Sequence, residues 1–586
     1  MEPSRERLRL LVLTAGPLTS FNRVLYERLA SDPLLELCAV VVDGFERPRA
    51  PLSRRVLRGL ERDGWRWPWF KVRTRLAAAA GRLARAAWEA EHPAVVDDSY
   101  EAFAAASGVA VHRVADVHAE ASLALIRSLR PRLGLIVGGR ILEDAVTGIP
   151  ELGTLNIHKR RVPDYRGGGP VGYWELRNGE REIGVTIHYA RAAVDAGDVV
   201  AEARIPVEEC DTLESLRIKA DLRGARLYHE AVRRVALGEA AGRPQDLARG
   251  RTYRAPSELA VWRLERDLRR RAERRMPSLR ARPGVLSRAR VLVQYLLLYP
   301  LLRRWRRRFA RESRMPGCIL FYHLVANRPL NHMCLPLEEF ARQMEFLRRH
   351  CRLVSLDGAA RSDGRAGLPE VAISFDDGYR DNTWAIEYLD YFAIPATFFV
   401  SIGHLLDGSP FEHDVARGFA PAPMSAQDLR RLASRGFEIG SHGIRHEDFG
   451  RLAPAEAERV LEQSRRLIAD AVGRPPERFS FPKGRWPENV TREGLALALR
   501  RYRQVYSASG GYNHPDPERR HFLRRAHPSG LLELATLLDG YTGFRECLAG
   551  RAWGLRSELP ASVPREPAPP PESSPRKPNL SLEEVS

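Results

Sequence analysis

Strand-like and helix-like stretches alternate along this chain in two separate blocks, with an arginine-rich run between them. Alternation of that kind is best satisfied by a mainly parallel sheet covered with helices, so each block predicts an α/β unit. In the first block, 8–14, 37–42, 109–113 and 133–137 read as buried strands, with helices at 21–30 and 120–129 between them. In the second, 319–322, 371–375, 396–401, 437–441, 478–481, 504–507 and 522–527 read as strands, enough to curl into a barrel. Chemistry in such barrels gathers where strands end in loops. At 586 residues the chain is too long for a single core.

The charge is as uneven as the pattern. The formal net charge is +19, and between 251 and 316 there are 20 arginines against five acidic residues. This segment, 257–316, is expected to be a basic amphipathic linker. Its apolar stretch 291–302 is interrupted by Pro300 and followed by five arginines around Trp305. A membrane-spanning helix needs about 20 apolar residues, so this one does not span. It suits either an anionic membrane surface, through 285–311, or a helix packed between two domains. The stretch 47–93, rich in Arg and Trp, fits the strand pattern poorly and reads as a partly helical insertion at about 44–93. The six cysteines have no paired spacing and read as free thiols of a reducing compartment. With no signal peptide read at the N-terminus, the expectation is a cytoplasmic protein, peripheral at most to the inner membrane face. The tail 558–586 is Pro-, Ser- and Glu-rich and is expected to be disordered.

Asp376 and Asp377 end the apolar run 371–375, and Gly378 follows them. His442 and His446 stand four residues apart further on. One carboxylate and two imidazoles can hold a divalent cation with positions left for water and substrate. The second carboxylate can take a proton from that water. A metal-dependent hydrolase is therefore the firmest functional reading of the chain.

This half, from about 317 to 548, resembles the polysaccharide deacetylase family, the NodB-like carbohydrate esterases. Ser374-Phe375-Asp376-Asp377-Gly378 is similar to the family's first motif, which implies Asp376 as general base and Asp377 as metal ligand. His442 and His446 resemble its metal-binding pair, with zinc or a similar divalent ion implied. Phe479-Ser480-Phe481-Pro482-Lys483-Gly484 resembles the groove-lining third motif, which implies substrate contacts from Pro482. The Arg usual before that Pro is missing, and Arg478 or Arg485 is expected in its place. Tyr322 and His323 resemble a Tyr-His pair of the first strand and are expected at the substrate. Leu523-Arg524-Arg525-Ala526-His527 corresponds to the last motif, which implies His527 as general acid. The fold implied is a distorted (β/α) barrel.

In the first half, Asn156 and His158 alternate on one strand and so face the same side. Tyr165-Arg166-Gly167-Gly168-Gly169-Pro170, Gly184-Val185-Thr186-Ile187-His188 and Val194-Asp195-Ala196-Gly197-Asp198 follow. An amide donor, an imidazole and a carboxylate can together run acyl transfer. These motifs, within 1–256, resemble the formyltransferase family that uses 10-formyltetrahydrofolate, with a Rossmann-like fold. The resemblance implies Asn156, His158 and Asp195 as the catalytic trio, Gly138 and Gly139 beside the folate, and Tyr165 and Arg166 at the substrate. Lys159-Arg160-Arg161-Val162-Pro163 stands where the family often has Pro-Ser-Leu-Leu-Pro.

Together the two halves predict a bifunctional enzyme acting on an amino sugar, nucleotide- or lipid-linked, that removes an N-acyl group and adds an N-formyl group. Two alternatives stay open: a deacetylase with an inactive transferase-like binding domain, and a tRNA-directed formyltransferase. No further tRNA-binding module is recognisable, so nucleic acid is not the expected partner.

Overall fold

The structure is a computed structural model, and it describes residues 6–46, 51–91, 94–280, 285–311, 317–361, 368–510, 513, 522–528 and 530–538. The tail 558–586 and Cys547 lie outside the described residues.

The first block forms a seven-stranded sheet. In spatial order its strands are Ala110–Val114, Leu35–Asp43, Leu8–Ala15, Leu133–Ile136, Thr154–His158, Glu182–Tyr189 and Val199–Pro206. The first five run parallel, and the last two are antiparallel additions. Alternation decides which face each side chain serves. On the central strand, Leu10 and Val12 enter the core shared with the helices Ser20–Ser31 and Leu213–Leu237. Leu11 and Leu13 enter a second cluster with Leu123 and Ile126 of the helix Glu120–Ser128. Helix Leu213–Leu237 starts at a reciprocal cap between Thr212 and Ser215 and stops at Gly238, which takes the left-handed conformation. The expected insertion is a helical pair, Leu52–Asp63 and Arg66–Glu91.

The expected interruption at Pro300 does not occur. One helix, Val285–Arg311, runs through it. Proline removes a single backbone donor, and here it sits on an exposed position of a 27-residue helix whose turns on either side continue.

The second block is a ring of parallel strands: Cys318–Tyr322, Glu370–Phe375, Ala396–Val400, Glu438–Ser441, Arg478–Ser480, Gln504–Ser507 and Phe522–Arg524. Every residue of Glu370–Phe375 and of Ala396–Val400 is buried, as strands covered on both faces require. The ring closes at one point. Ala526 donates to Ile319 O (2.9 Å) and accepts from Phe321 N (3.0 Å). This distorted barrel brings the end of the last strand beside the first.

The two units share one apolar cluster. Leu213–Leu237 lies along the helix Thr383–Tyr391, and Arg226 pairs with Glu387 and Asp390. The Phe21 ring stacks on Tyr391 at 5.6 Å and meets Phe392 edge-on at 5.0 Å. The Tyr391 hydroxyl donates to Phe21 O (2.7 Å), and Thr212 Oγ1 donates to Glu338 (3.2 Å).

Candidate active sites

Asp376 and Asp377 leave the end of Glu370–Phe375, and the turn that carries them is tight. Asp377 takes φ +71° and Gly378 φ +94°. A non-glycine residue in the left-handed region costs energy and is retained where geometry matters. Among the described residues six non-glycines have positive φ, and three are expected site residues: Asp195, Asp377 and His446.

Asp377, His442 and His446 come together with ligand atoms all within 4.8 Å of one another. Each imidazole Nε2 lies 3.6 Å from Asp377 Oδ1. Both Asp377 oxygens are buried and neither accepts a hydrogen bond. A buried carboxylate without donors is costly unless a cation takes its place, so these residues fit a divalent ion. Burial lowers His442 to about 4 and His446 to about 3, which leaves their lone pairs free for a metal. The ring of His442 is oriented from behind, where Nδ1–H donates to Ser480 O (2.7 Å).

Asp376 is gripped by a residue that the sequence motifs did not single out. Arg525 donates from Nη1 to Asp376 Oδ1 (2.6 Å) and from Nη2 to Oδ2 (2.8 Å), and also reaches Ser374 and Ser480. Burial works to raise the Asp376 pKa, but Arg525 and His442 outweigh it and bring it down to about 2. This corrects the expectation for the missing Arg. Arg478 is turned to Glu438, Asp357 and Gln504, and Arg485 is exposed on the loop after Pro482. The closing strand, not the third motif, delivers the guanidinium. The available signal was the alternation of Arg525 with His527.

Tyr322 is also corrected. It is wholly buried, packs on Phe340 and Phe375, and donates to Gln343 (2.8 Å), so no part of it is open to a substrate. His323 lies in the site, its buried Nδ1 without a hydrogen-bond partner and its ring 6.0 Å from His527. His527 is exposed and packs edge-on to Phe321. Pro482 is buried against Gly443, in the loop between His442 and His446. His413 was not anticipated at all. Its Nε2 is 3.7 Å from Asp377 Oδ2 and 3.0 Å from the Tyr379 hydroxyl, which donates to the buried Asp414. It comes from a short loop helix, Glu412–Val415, with no motif around it.

In the first unit, Asn156, His158 and Asp195 converge. His158 Nδ1 lies 3.5 Å from Asp195 Oδ2. His158 Nε2 is 3.0 Å from Tyr165 O, and since a carbonyl only accepts, Nε2 carries the hydrogen and Nδ1 faces the carboxylate. Burial lowers the His158 pKa, and Asp195 opposes it. Gly167 N donates to Asp195 (2.9 Å). His188, opposite Asn156 in the antiparallel register, joins the group: its Nδ1–H donates to Tyr189 O (2.8 Å) and its Nε2 accepts from Asn156 Nδ2 (3.1 Å). It was visible only as the end of a strand motif.

A cavity of about 310 Å³ opens on His158, bounded among others by Phe21, Asn22, Gly138, Lys159 and Asp221. Gly139 lines a smaller hollow beside it with Asp43 and Arg140. Both glycines have positive φ, a conformation of the turn after Leu133–Ile136 that glycine adopts without a Cβ clash. Lys159 pairs with Asp221. Arg160 is buried on the cavity wall, with Nη2 donating to Pro170 O (2.9 Å) and Nη1 without a hydrogen-bond partner. Two expected substrate contacts are corrected. The Tyr165 side chain is buried, stacked on Tyr253 and bonded to Glu180, so Tyr165 serves the site through its carbonyl. Arg166 is tied to the carbonyls of Leu247 and Gly250, which strap the loop.

The fold and the two constellations define an α/β chain with two separate polar centres, one of paired carboxylates with two imidazoles and one of an amide, an imidazole and a carboxylate. Comparison with known proteins gives each a family. Residues 363–501 match the family model Polysaccharide deacetylase, and residues 88–232 match Formyl transferase. Two separate segments of the chain thus match two different enzyme families. Among curated relatives, the methionyl-tRNA formyltransferase of Parabacteroides distasonis is 32% identical over 144 residues, 25% of this chain and 44% of the relative. That of Macrococcus caseolyticus is 33% identical over 140 residues, 24% of this chain and 45% of the relative. The chain thus spans less than half the length of these relatives. Among solved structures, IcaB from Ammonifex degensii is 22% identical with a TM-score of 0.32, covering 38% of this chain and 97% of that one. Glycinamide ribonucleotide transformylase 1 from Symbiobacterium toebii is 20% identical with a TM-score of 0.28, covering 41% of this chain and 95% of that one.

Proposed function

We propose that the protein is a bifunctional enzyme that hydrolyses an N-acyl group from an amino sugar and transfers a formyl group from 10-formyltetrahydrofolate to an amine. The observation that carries the first activity is the buried, donor-free Asp377 carboxylate between two neutral imidazoles, beside a separately ionised Asp376. Zinc or a similar divalent ion, bound by Asp377, His442 and His446, would supply Lewis acidity to a water and to the acyl carbonyl. Asp376 accepts the proton of the attacking water, and Arg525 keeps that carboxylate ionised and fixed in direction. His527, at the rim with His323 beside it, returns a proton to the departing nitrogen.

For the second activity, 10-formyltetrahydrofolate supplies the formyl group. His158 takes a proton from the attacking amine at Nδ1, where Asp195 steadies the positive charge. Asn156 spends one amide hydrogen on His188 and has another for the oxygen of the tetrahedral adduct. The free Nη1 of Arg160 offers a donor to an oxygen-rich acceptor. An amino sugar as common substrate is supported by the pairing itself, since one centre frees an amine and the other caps one. The helix Thr383–Tyr391 begins six residues after Asp377 and ends against Phe21, a wall of the formyl-transfer cavity. Nine helical residues are about 14 Å, so one short helix runs from the segment that follows Asp377 to the wall residue Phe21.

The test is mass analysis of an N-acetylated amino-sugar oligosaccharide and its free amine after incubation with zinc alone, the folate donor alone, and both. The reading expects loss of acetyl with zinc and gain of formyl on the amine with the donor. An unchanged acetylated sugar with zinc refutes the hydrolase assignment for that substrate class. An unchanged amine refutes the transferase assignment.

A further inference from the structure

Two surface features belong to neither sheet and neither centre. The first is the helical pair 52–76. Trp65 (72% exposed), Trp69 (73%), Val72 and Leu76 follow at spacings of four, three and four, which places them in one stripe. Leu52 and Leu57 extend the exposed apolar surface on the preceding helix. The pair is nevertheless anchored from its other side. Phe70 is buried against Trp262, Lys71 pairs with Glu258 (2.5 Å), and the Ser257 hydroxyl donates to Asp63 (2.7 Å). The second feature is the helix Val285–Arg311. It buries Tyr295 and Leu302 but leaves Leu292, Val293, Leu296, Leu297 and Leu301 exposed.

Single exposed apolar residues are ordinary, but several grouped on one surface helix mark a contact surface. The charge around them says what kind. Residues 51–76 hold eight basic and two acidic side chains, and Arg54, Arg55, Arg58, Arg62, Arg66, Arg73 and Arg75 are all exposed. The second stripe runs directly into Arg303, Arg304, Arg306, Arg307 and Arg308. Basic rims around apolar stripes match a negatively charged, apolar-cored partner, and exposed tryptophans suit the headgroup level of a bilayer. An apolar stripe with a basic rim is the pattern of a helix lying in the plane of a membrane surface; among the described residues no helix is long and apolar enough to cross a membrane. We propose that the helical pair 52–76, together with the helix Val285–Arg311, seats the protein on an anionic lipid surface.

The experiment is flotation of the full chain with vesicles of phosphatidylcholine containing phosphatidylglycerol, and with phosphatidylcholine alone, at low and high salt. Wild type is expected to float with the anionic vesicles and to be released by salt. The variant W65S/W69S/V72S/L76S changes only exposed positions and is expected to bind at least about tenfold more weakly. L292S/L296S/L297S is expected to weaken binding independently. Should the first variant lose its helical circular dichroism, R54S/R55S/R58S carries the test, with the same loss expected at low salt. The proposal is overturned if wild type does not float with anionic vesicles at low salt, or if folded variants float as well as wild type. Equal binding to neutral vesicles overturns the anionic part. A wild-type dimer in sedimentation velocity that W65S/W69S/V72S/L76S splits, with no vesicle binding, assigns the stripe to a second copy instead.

Discussion

Replacing Arg525 by Met isolates what the buried guanidinium does. The side chains of Arg525 and Asp376 are 0% and 4% exposed, and the pair is joined by bonds of 2.6 and 2.8 Å. Removing one partner of such a pair leaves a buried charge uncompensated, at a cost of about 3–5 kcal/mol. Methionine also leaves Ser374 and Ser480 without the donor they now accept from. A second route gives a compatible figure. Asp376 is held at about 2 against an ordinary 3.8, which is worth roughly 2 kcal/mol of folding stability. Because the folded pKa is depressed, that contribution is present above about pH 4 and disappears as the pH falls towards 2. At pH 7 the variant therefore loses the part of it that Arg525 supplies, while His442 and His323 keep theirs. In the variant burial acts on Asp376 with its main counterweight gone, so the base is partly neutralised. Urea unfolding of the C-terminal unit, followed together with deacylase turnover, should show an earlier midpoint and a collapse of activity. Arg525→Lys should recover part of the stability but not the two-pronged grip. An unchanged midpoint with normal turnover in Arg525→Met would refute the reasoning.

Other expectations follow from the same geometry. The His158 imidazole is held below its ordinary 6.5 by burial, so its NMR titration midpoint should lie under 6.5, and Asp195→Asn should push it lower by removing the carboxylate that favours the charged ring; a midpoint at or above 6.5 contradicts this. Tyr322→Phe should cost about 1–3 kcal/mol of stability, from the unsatisfied Gln343 oxygen, while leaving deacylase KM unchanged; a raised KM would return Tyr322 to the substrate site. His527→Ala should lower deacylase kcat with metal content intact, and loss of metal in that variant would argue for a ligand role.

Much of this architecture was legible because parallel sheets advertise themselves. The runs at 371–375 and 396–401 are apolar on both faces, and the strands Glu370–Phe375 and Ala396–Val400 lie where those runs are. The grouping of Asp377, His442 and His446 was legible because an Asp-Asp-Gly at a strand end and a spaced His pair have few other uses. What escaped depended on closure in three dimensions. Arg525 reaches Asp376 where Ala526 hydrogen-bonds back to Ile319 of the first strand, a pairing across 207 positions of sequence that no local pattern encodes. His413 arrives from a short helix in an irregular segment, and His188 is brought to Asn156 by antiparallel register. Tyr322 and Tyr165 were expected at the substrate from motif resemblance, which carries residue identity but does not say whether a side chain faces the pocket or the core.

Metal content measured on the purified full chain tests the central claim most directly. One equivalent of a divalent metal is expected in wild type, and a folded Asp377→Ala variant is expected to retain almost none. Equal metal in the two proteins would contradict the assignment of Asp377, His442 and His446 as the site that holds it.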